Sequence, residues 1–138
     1  MTGRVFSGVA LATMLQVMPL VTVAQGGNSL ITGTREVVIR SAGEWQALWK
    51  EHNPQPPPVI DFSSSMVVGI FLGTRPTAGY RVDVVATKIE GDSLVVEYSE
   101  RGPRPGAVAA QVLTSPFHIV KLPARPGTVL FRKVDPPA

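Results

Sequence analysis

Met66-Val-Val-Gly-Ile-Phe-Leu72 is apolar on both of its alternating faces and interrupted only by Gly69. A strand of that kind sits centrally in a sheet, with both sides covered. It leads into Gly73-Thr-Arg-Pro-Thr-Ala-Gly79 and Tyr80. There Pro76 fixes one φ angle, and Gly73 and Gly79 allow positive φ where the chain turns. Beyond the loop, Tyr80, Val82, Val84 and Ala86 alternate with Arg81, Asp83 and Thr87. Gly91-Asp92 marks a tight connection, after which Leu94, Val96 and Tyr98 resume the alternation, so residues 80–99 read as a β-hairpin. Arg101 to Gly106, RGPRPG, is a loop. Ala107–Thr114 fits either a strand or a short helical turn. Phe117–Leu122 and Thr128–Val134 are two further strands, joined by Pro123–Gly127.

On the N-terminal side, Val37, Val38 and Ile39 give a short strand within Arg35–Arg40. Ser41 and Glu44 have capping-box spacing, and Trp45, Leu48, Trp49 and His52 follow at i, i+3, i+4 and i+7. Pro54, Pro56, Pro57 and Pro58 stop the helix. The predicted class is mainly β (α+β by strict count): a small antiparallel sheet or sandwich with one packed N-terminal helix. Length and composition agree. The 138 residues suit one domain, 44% are hydrophobic, and 13 glycines and 13 prolines fall between short apolar runs.

Residues 1–24 have the form of a signal peptide. Arg4 precedes an apolar stretch from Val5 to Leu20, and Thr22-Val-Ala24 places small residues for cleavage after Ala24. The rival is a retained anchor over residues 5–23, and only in that uncleaved case is a membrane contact expected. Cleavage leaves residues 25–34 as a flexible lead and 35–135 as a single β domain, in the periplasm or outside the cell. Removing Arg4 changes thirteen basic residues against ten acidic to twelve against ten, a net charge near +2. With no run of four Lys/Arg and no aromatic residues interleaved among them, nucleic-acid binding is not expected.

The chain has no cysteine and two histidines, His52 and His118. Thiol chemistry, disulfides, cysteine zinc sites and multi-histidine metal centres are thereby excluded, and no metal or other cofactor is expected. Ser115, His118 and Asp83 have the residue types of a triad but lack a nucleophile elbow. Alternation instead puts His118 on the face of Val120 and Leu122, as a packed histidine. Glu97 and Glu100 beside Arg101 and Arg104 read as an ion-paired edge. Trp45 and Trp49, spaced i, i+4 beside Leu48, read as core contacts and not as a sugar platform. No catalytic residue is assigned, and the chain is read as a non-enzyme.

Met66–Tyr80, the following hairpin and Thr114-Ser-Pro-Phe-His-Ile-Val120 together resemble the PrcB C-terminal domain family over roughly residues 60–122. The family takes its name from a subunit of a bacterial secreted protease complex. The resemblance implies an extracytoplasmic, mainly β, non-catalytic domain associated with a protease. A second similarity is to chagasin-type inhibitors of papain-like cysteine proteases. Their Asn-Pro-Thr-Thr-Gly-Tyr loop is similar to Arg75-Pro-Thr-Ala-Gly-Tyr80, with Arg75 for the asparagine and Ala78 for the second threonine; Gly127 stands where an aromatic residue would follow Arg125-Pro126.

The expected function is therefore an exported interaction domain that binds a secreted protease or serves as a subunit of its complex. Direct inhibition by a chagasin-like plug is the alternative; a hydrolase or carbohydrate-binding domain ranks below it. The partner surface is expected on a stiff projecting loop comprising Gly73, Thr74, Arg75, Pro76, Thr77, Gly79 and Tyr80. Arg101, Arg104 and Arg125 are expected on secondary loops beside it.

Overall fold

In a computed structural model, residues 17–137 are described; most of the expected signal segment, residues 1–16, lies outside them. The central strand is β3 (Ser65–Phe71), as its two-sided apolar pattern demands. It lies between β2 (Arg35–Ile39) and β6 (Phe117–Pro123), and β1 (Val21–Gly26) closes the sheet on the far side of β6. All pairs in this sheet, ordered β1-β6-β3-β2, are antiparallel. A second sheet, ordered β4-β5-β7, contains the expected hairpin of β4 (Arg81–Glu90) and β5 (Ser93–Arg101), with β7 (Val129–Lys133) outside β5.

The pairing of β5 with β7 is parallel, unlike the antiparallel arrangement expected. The reason is the path of the chain. Strand β6 runs away from the Phe117 end, residues 124–128 cross between the sheets, and β7 returns in the opposite direction beside β5. Met66, Val68, Ile70 and Leu72 face Val82, Val84, Leu94 and Val96 across the gap between sheets. On the opposite face, Val67, Phe71 and Ile119 meet Trp45, Leu48 and Trp49 of α1 (Ala42–His52). The layers are helix, four-stranded sheet and three-stranded sheet.

The helix follows local chemistry closely. Ser41 is the N-cap, its Oγ accepting from the backbone N–H of Glu44 at 3.2 Å. The Glu44 carboxylate accepts from the N–H of Arg40, one residue earlier than a capping box predicts. Trp45 and Trp49 are buried, and their indole N–H groups donate to the carbonyls of Pro58 and Gln55. The tryptophans thus fasten the proline-rich segment over the helix and present no open aromatic platform. No helix among the described residues is long and apolar enough to cross a membrane.

Two expectations along the edges are corrected. In β4 a bulge between Val84 and Ala86 inserts an extra residue, so the alternation changes phase. Thr87, expected on the outer face with Arg81 and Asp83, is fully buried. The second correction concerns residues 25–34, expected as a flexible lead. Gln25 and Gly26 complete β1, Ser29 and Ile31 are buried, and Leu30 N–H donates to the His52 carbonyl at 3.0 Å.

Strand β1 also bears on the expected cleavage. Ala24 pairs with Ile119, so a cut after it would remove Val21–Ala24 from β1. The preceding residues are tied down as well: Met18 N–H donates to the Thr87 carbonyl at 2.8 Å, and Thr87 Oγ1 donates to the Met18 carbonyl at 2.6 Å. Met18 and Leu20 pack on the core between the sheets, while Val23 and Ala24 pack on the helix side. Residues 17–26 therefore lace the β4 and β6 edges together.

Candidate functional site

Both glycines of the 73–80 loop have positive φ, 84° at Gly73 and 95° at Gly79. A Cβ at Gly73 would also stand 2.9 Å from Thr34 Oγ1. The conformation anticipated from the sequence is present, but the loop does not project as expected. Arg75 exchanges backbone hydrogen bonds with Thr114 at 2.8 and 2.9 Å, Thr114 Oγ1 donates to the Thr77 carbonyl, and Ala78 N–H donates to the Ala110 carbonyl. The loop is laid along residues 110–114. Gly79 packs against Pro103, and Gly102 against the Tyr80 ring. Loops 73–80 and 102–114 form one interlocked end of the sandwich.

Arg75 departs most from its expected role as a tip residue. Its Nε and Nη2 donate to the two Glu100 carboxylate oxygens at 2.7 and 3.0 Å, and Nη1 donates to the Leu72 carbonyl at 3.1 Å. Glu100 also holds Lys133 at 3.1 Å. Hydrogen bonding to Arg75 keeps the Glu100 carboxyl below the ordinary carboxylate range, against the opposing effect of burial. Arg75 is therefore a fastening that locks the loop to β5. Thr74, Pro76 and Gly79 remain exposed, while Thr77 and Tyr80 are half-buried.

Arg101 and Arg104 lie at this same end, both exposed. Arg101 donates to the Pro137 carbonyl. Arg125 does not join them. It lies beyond Pro123, at the end of β6 opposite Phe117, roughly 20 Å away along the strand at about 3.3 Å per residue. There it lines a separate depression with Arg40 and Phe62.

Sequence reasoning missed the apolar component. Val108 and Leu113 are largely exposed and Val112 is half exposed, at 102%, 74% and 54% respectively, on the stretch left open between strand and helical turn. Three large aliphatic side chains in six residues, with neither period, are the signal that could have identified a surface patch. Between the loops is a depression of about 360 Å³, lined by Ala78, Gly79, Gly102, Pro103, Arg104 and Val108 among others.

The triad residue types do not form a catalytic unit. His118 Nδ1 accepts the Val84 backbone N–H at 2.8 Å, so the proton of the neutral ring is on Nε2, which donates to Thr22 Oγ1 at 2.9 Å. A general base toward a hydroxyl needs the opposite tautomer, with a carboxylate at Nδ1. Asp83 instead accepts from Arg81 and Gln25, and Ser115 is buried, its N–H donating to the Gly27 carbonyl. His118 ties β6 to β1 and β4. No group of His, Asp and Glu residues suited to a metal is present among the described residues.

Burial pushes both His118 and His52 below the ordinary histidine range; for His118 the Asp83 charge opposes this only partly. Well above about pH 6.5, both histidines are neutral in folded and unfolded chains alike. As pH falls below that value, the unfolded chain takes up protons first, and stability is lost until the folded pKa values are passed. Urea midpoints are expected to be level from pH 7 to 8 and to fall below 6.5. His118→Gln should reduce that slope; an unchanged slope would remove His118 from the account.

Residues 66–123 match the PrcB C-terminal family. The matched segment runs from β3 to the end of β6 and includes both interlocked loops. The resemblance carried by Met66–Tyr80 and Thr114–Val120 is thus shown over about two-fifths of the chain. No curated protein and no solved structure matches. The chagasin-type likeness rests on the 75–80 loop alone.

Proposed function

We propose that the chain is a non-catalytic module that docks on an exported protease, as a subunit of its complex, through the end formed by loops 73–80 and 102–114. The observation that carries this reading is the set of exposed Val108, Val112 and Leu113 on a loop held by backbone hydrogen bonds to its neighbour. Exposed apolar clusters mark interaction surfaces, and a preformed surface loses little entropy on docking. The PrcB C-terminal match adds a family of subunit type related to a protease complex. Docking accounts for this geometry better than a substrate-like plug, because the 73–80 loop lies flat and Arg75 points to Glu100.

The export reading rests on the apolar run after Arg4. Since residues 17–26 lace the two sheets, processing that preserves the fold cuts before Val17. The docking reading is tested by capture from the exported fraction, using full-length protein and a Val108→Ser/Val112→Ser/Leu113→Ser variant. A protease is expected with wild type and at least about tenfold less with the variant, the equivalent of about 1.4 kcal/mol. Matching thermal melts would show that the variant is folded. Equal protease capture by both proteins would reject this face.

A further inference from the structure

We propose that the depression between loops 73–80 and 102–114 receives an acidic segment of a partner protein, anchored by one apolar side chain. This rests on the docking reading above and specifies the partner's chemistry. The floor and walls supply the anchor site: Ala78, Gly79, Gly102, Pro103 and Val108 offer a mainly apolar lining, with polar backbone and Arg104 making up the rest. Ala78 N–H is bonded to Ala110, and Arg104 O accepts from Ala107 N–H. The cavity of about 360 Å³ is held open by the backbone before anything binds.

Charge decides what flanks the anchor. Arg35, Arg75, Arg81 and Arg132 each hold a carboxylate. The Arg104 guanidinium lines the depression and has no hydrogen-bond or ion-pair partner among the described residues. The guanidinium of neighbouring Arg101 donates to the Pro137 carbonyl and to no carboxylate among the described residues. Two of the nearby carboxylates are already engaged: Glu100 is held by Arg75 and Lys133, and Asp83 by Arg81. Asp135 lines the adjoining depression beside Glu100 and Lys133. An exposed guanidinium on an apolar rim favours a carboxylate through paired, charge-assisted hydrogen bonds. Basic segments are repelled, and purely apolar ones leave the rim unused.

The probe is the blocked peptide acetyl-Glu-Asp-Phe-Glu-Asp-amide, titrated into the isotopically labelled full chain and followed by amide NMR shifts. Saturable shifts are expected at Gly79, Gly102 and Ala107–Ala110, weakening with added salt. Arg104→Glu should weaken binding at least about tenfold, as should serine in place of the peptide's phenylalanine. Equal binding of a Lys-Lys-Phe-Lys-Lys peptide, shifts confined to another surface, or no shifts would each overturn the proposal. Its failure is separable from that of the docking reading. If the acidic peptide fails while the triple variant still loses the protease, the partner chemistry is wrong and the face stands. If the peptide fails and both baits capture protease equally, both readings fall.

Discussion

A chain beginning at Gln25 is expected to unfold at a far lower urea concentration than the full chain, whereas one beginning at Val17 should match it. The shorter truncation keeps Met18 and Leu20 in the inter-sheet core and Val23 and Ala24 on the helix side. The longer truncation removes these side chains from both clusters together. It also leaves His118 without Thr22 and Thr87 without the Met18 carbonyl. One large-to-small substitution in a core costs about 2–5 kcal/mol, and this deletion should cost at least that much of the roughly 5–15 kcal/mol available to such a domain. An unpaired β6 edge adds a route to aggregation. Equal midpoints for all three chains would show that residues 17–24 contribute nothing to the fold.

That prediction depends on the segment least legible in the sequence. A signal segment and a buried edge strand both require a short apolar run, and residues 17–24 satisfy either description. What distinguishes them is pairing with Phe117–Lys121, more than ninety residues away. Local periodicity carries no record of such a partner. The helix was legible because its cap, apolar stripe and proline stop all act within a few residues. Strand β3 was legible because its burial on both faces is written into every residue from Met66 to Phe71 except Gly69. Thr87 was misplaced because the bulge at Val85 shifts phase within a run whose composition does not change there.

The candidate site divides along the same line. Positive φ at Gly73 and Gly79 is a backbone demand that the residue type discloses directly. The direction of Arg75 is not, since its partner Glu100 comes from the far strand of the following hairpin. Nor does spacing reveal that loop 102–114 lies under loop 73–80, or that Arg125 sits at the other end of β6. Strand order determines all three. The sequence-level idea of a stiff loop therefore survives, with its contact residues shifted from Arg75 toward Val108, Val112 and Leu113.

Arg75→Ala supplies the sharpest test of that shift. Arg75 and Glu100 retain only 25% and 15% of their side-chain exposure, so water screens their bond weakly. Truncation removes two carboxylate contacts and the contact to the Leu72 carbonyl, and leaves Glu100 with Lys133 alone. Breaking a fully buried ion pair costs about 3–5 kcal/mol; partial exposure and the remaining lysine reduce the expected loss here to about 2–3 kcal/mol. Lysine should recover little, because a single ammonium cannot reproduce the fork that spans both carboxylate oxygens and the carbonyl. Amide exchange should quicken at Ala78 and Thr114, whose backbone bonds join the loops. If Arg75 fastens the loop without touching the partner, a second change that restores the loop's rigidity should recover binding with position 75 still alanine. Wild-type stability and exchange in Arg75→Ala, accompanied by lost binding, would instead return Arg75 to the contact surface.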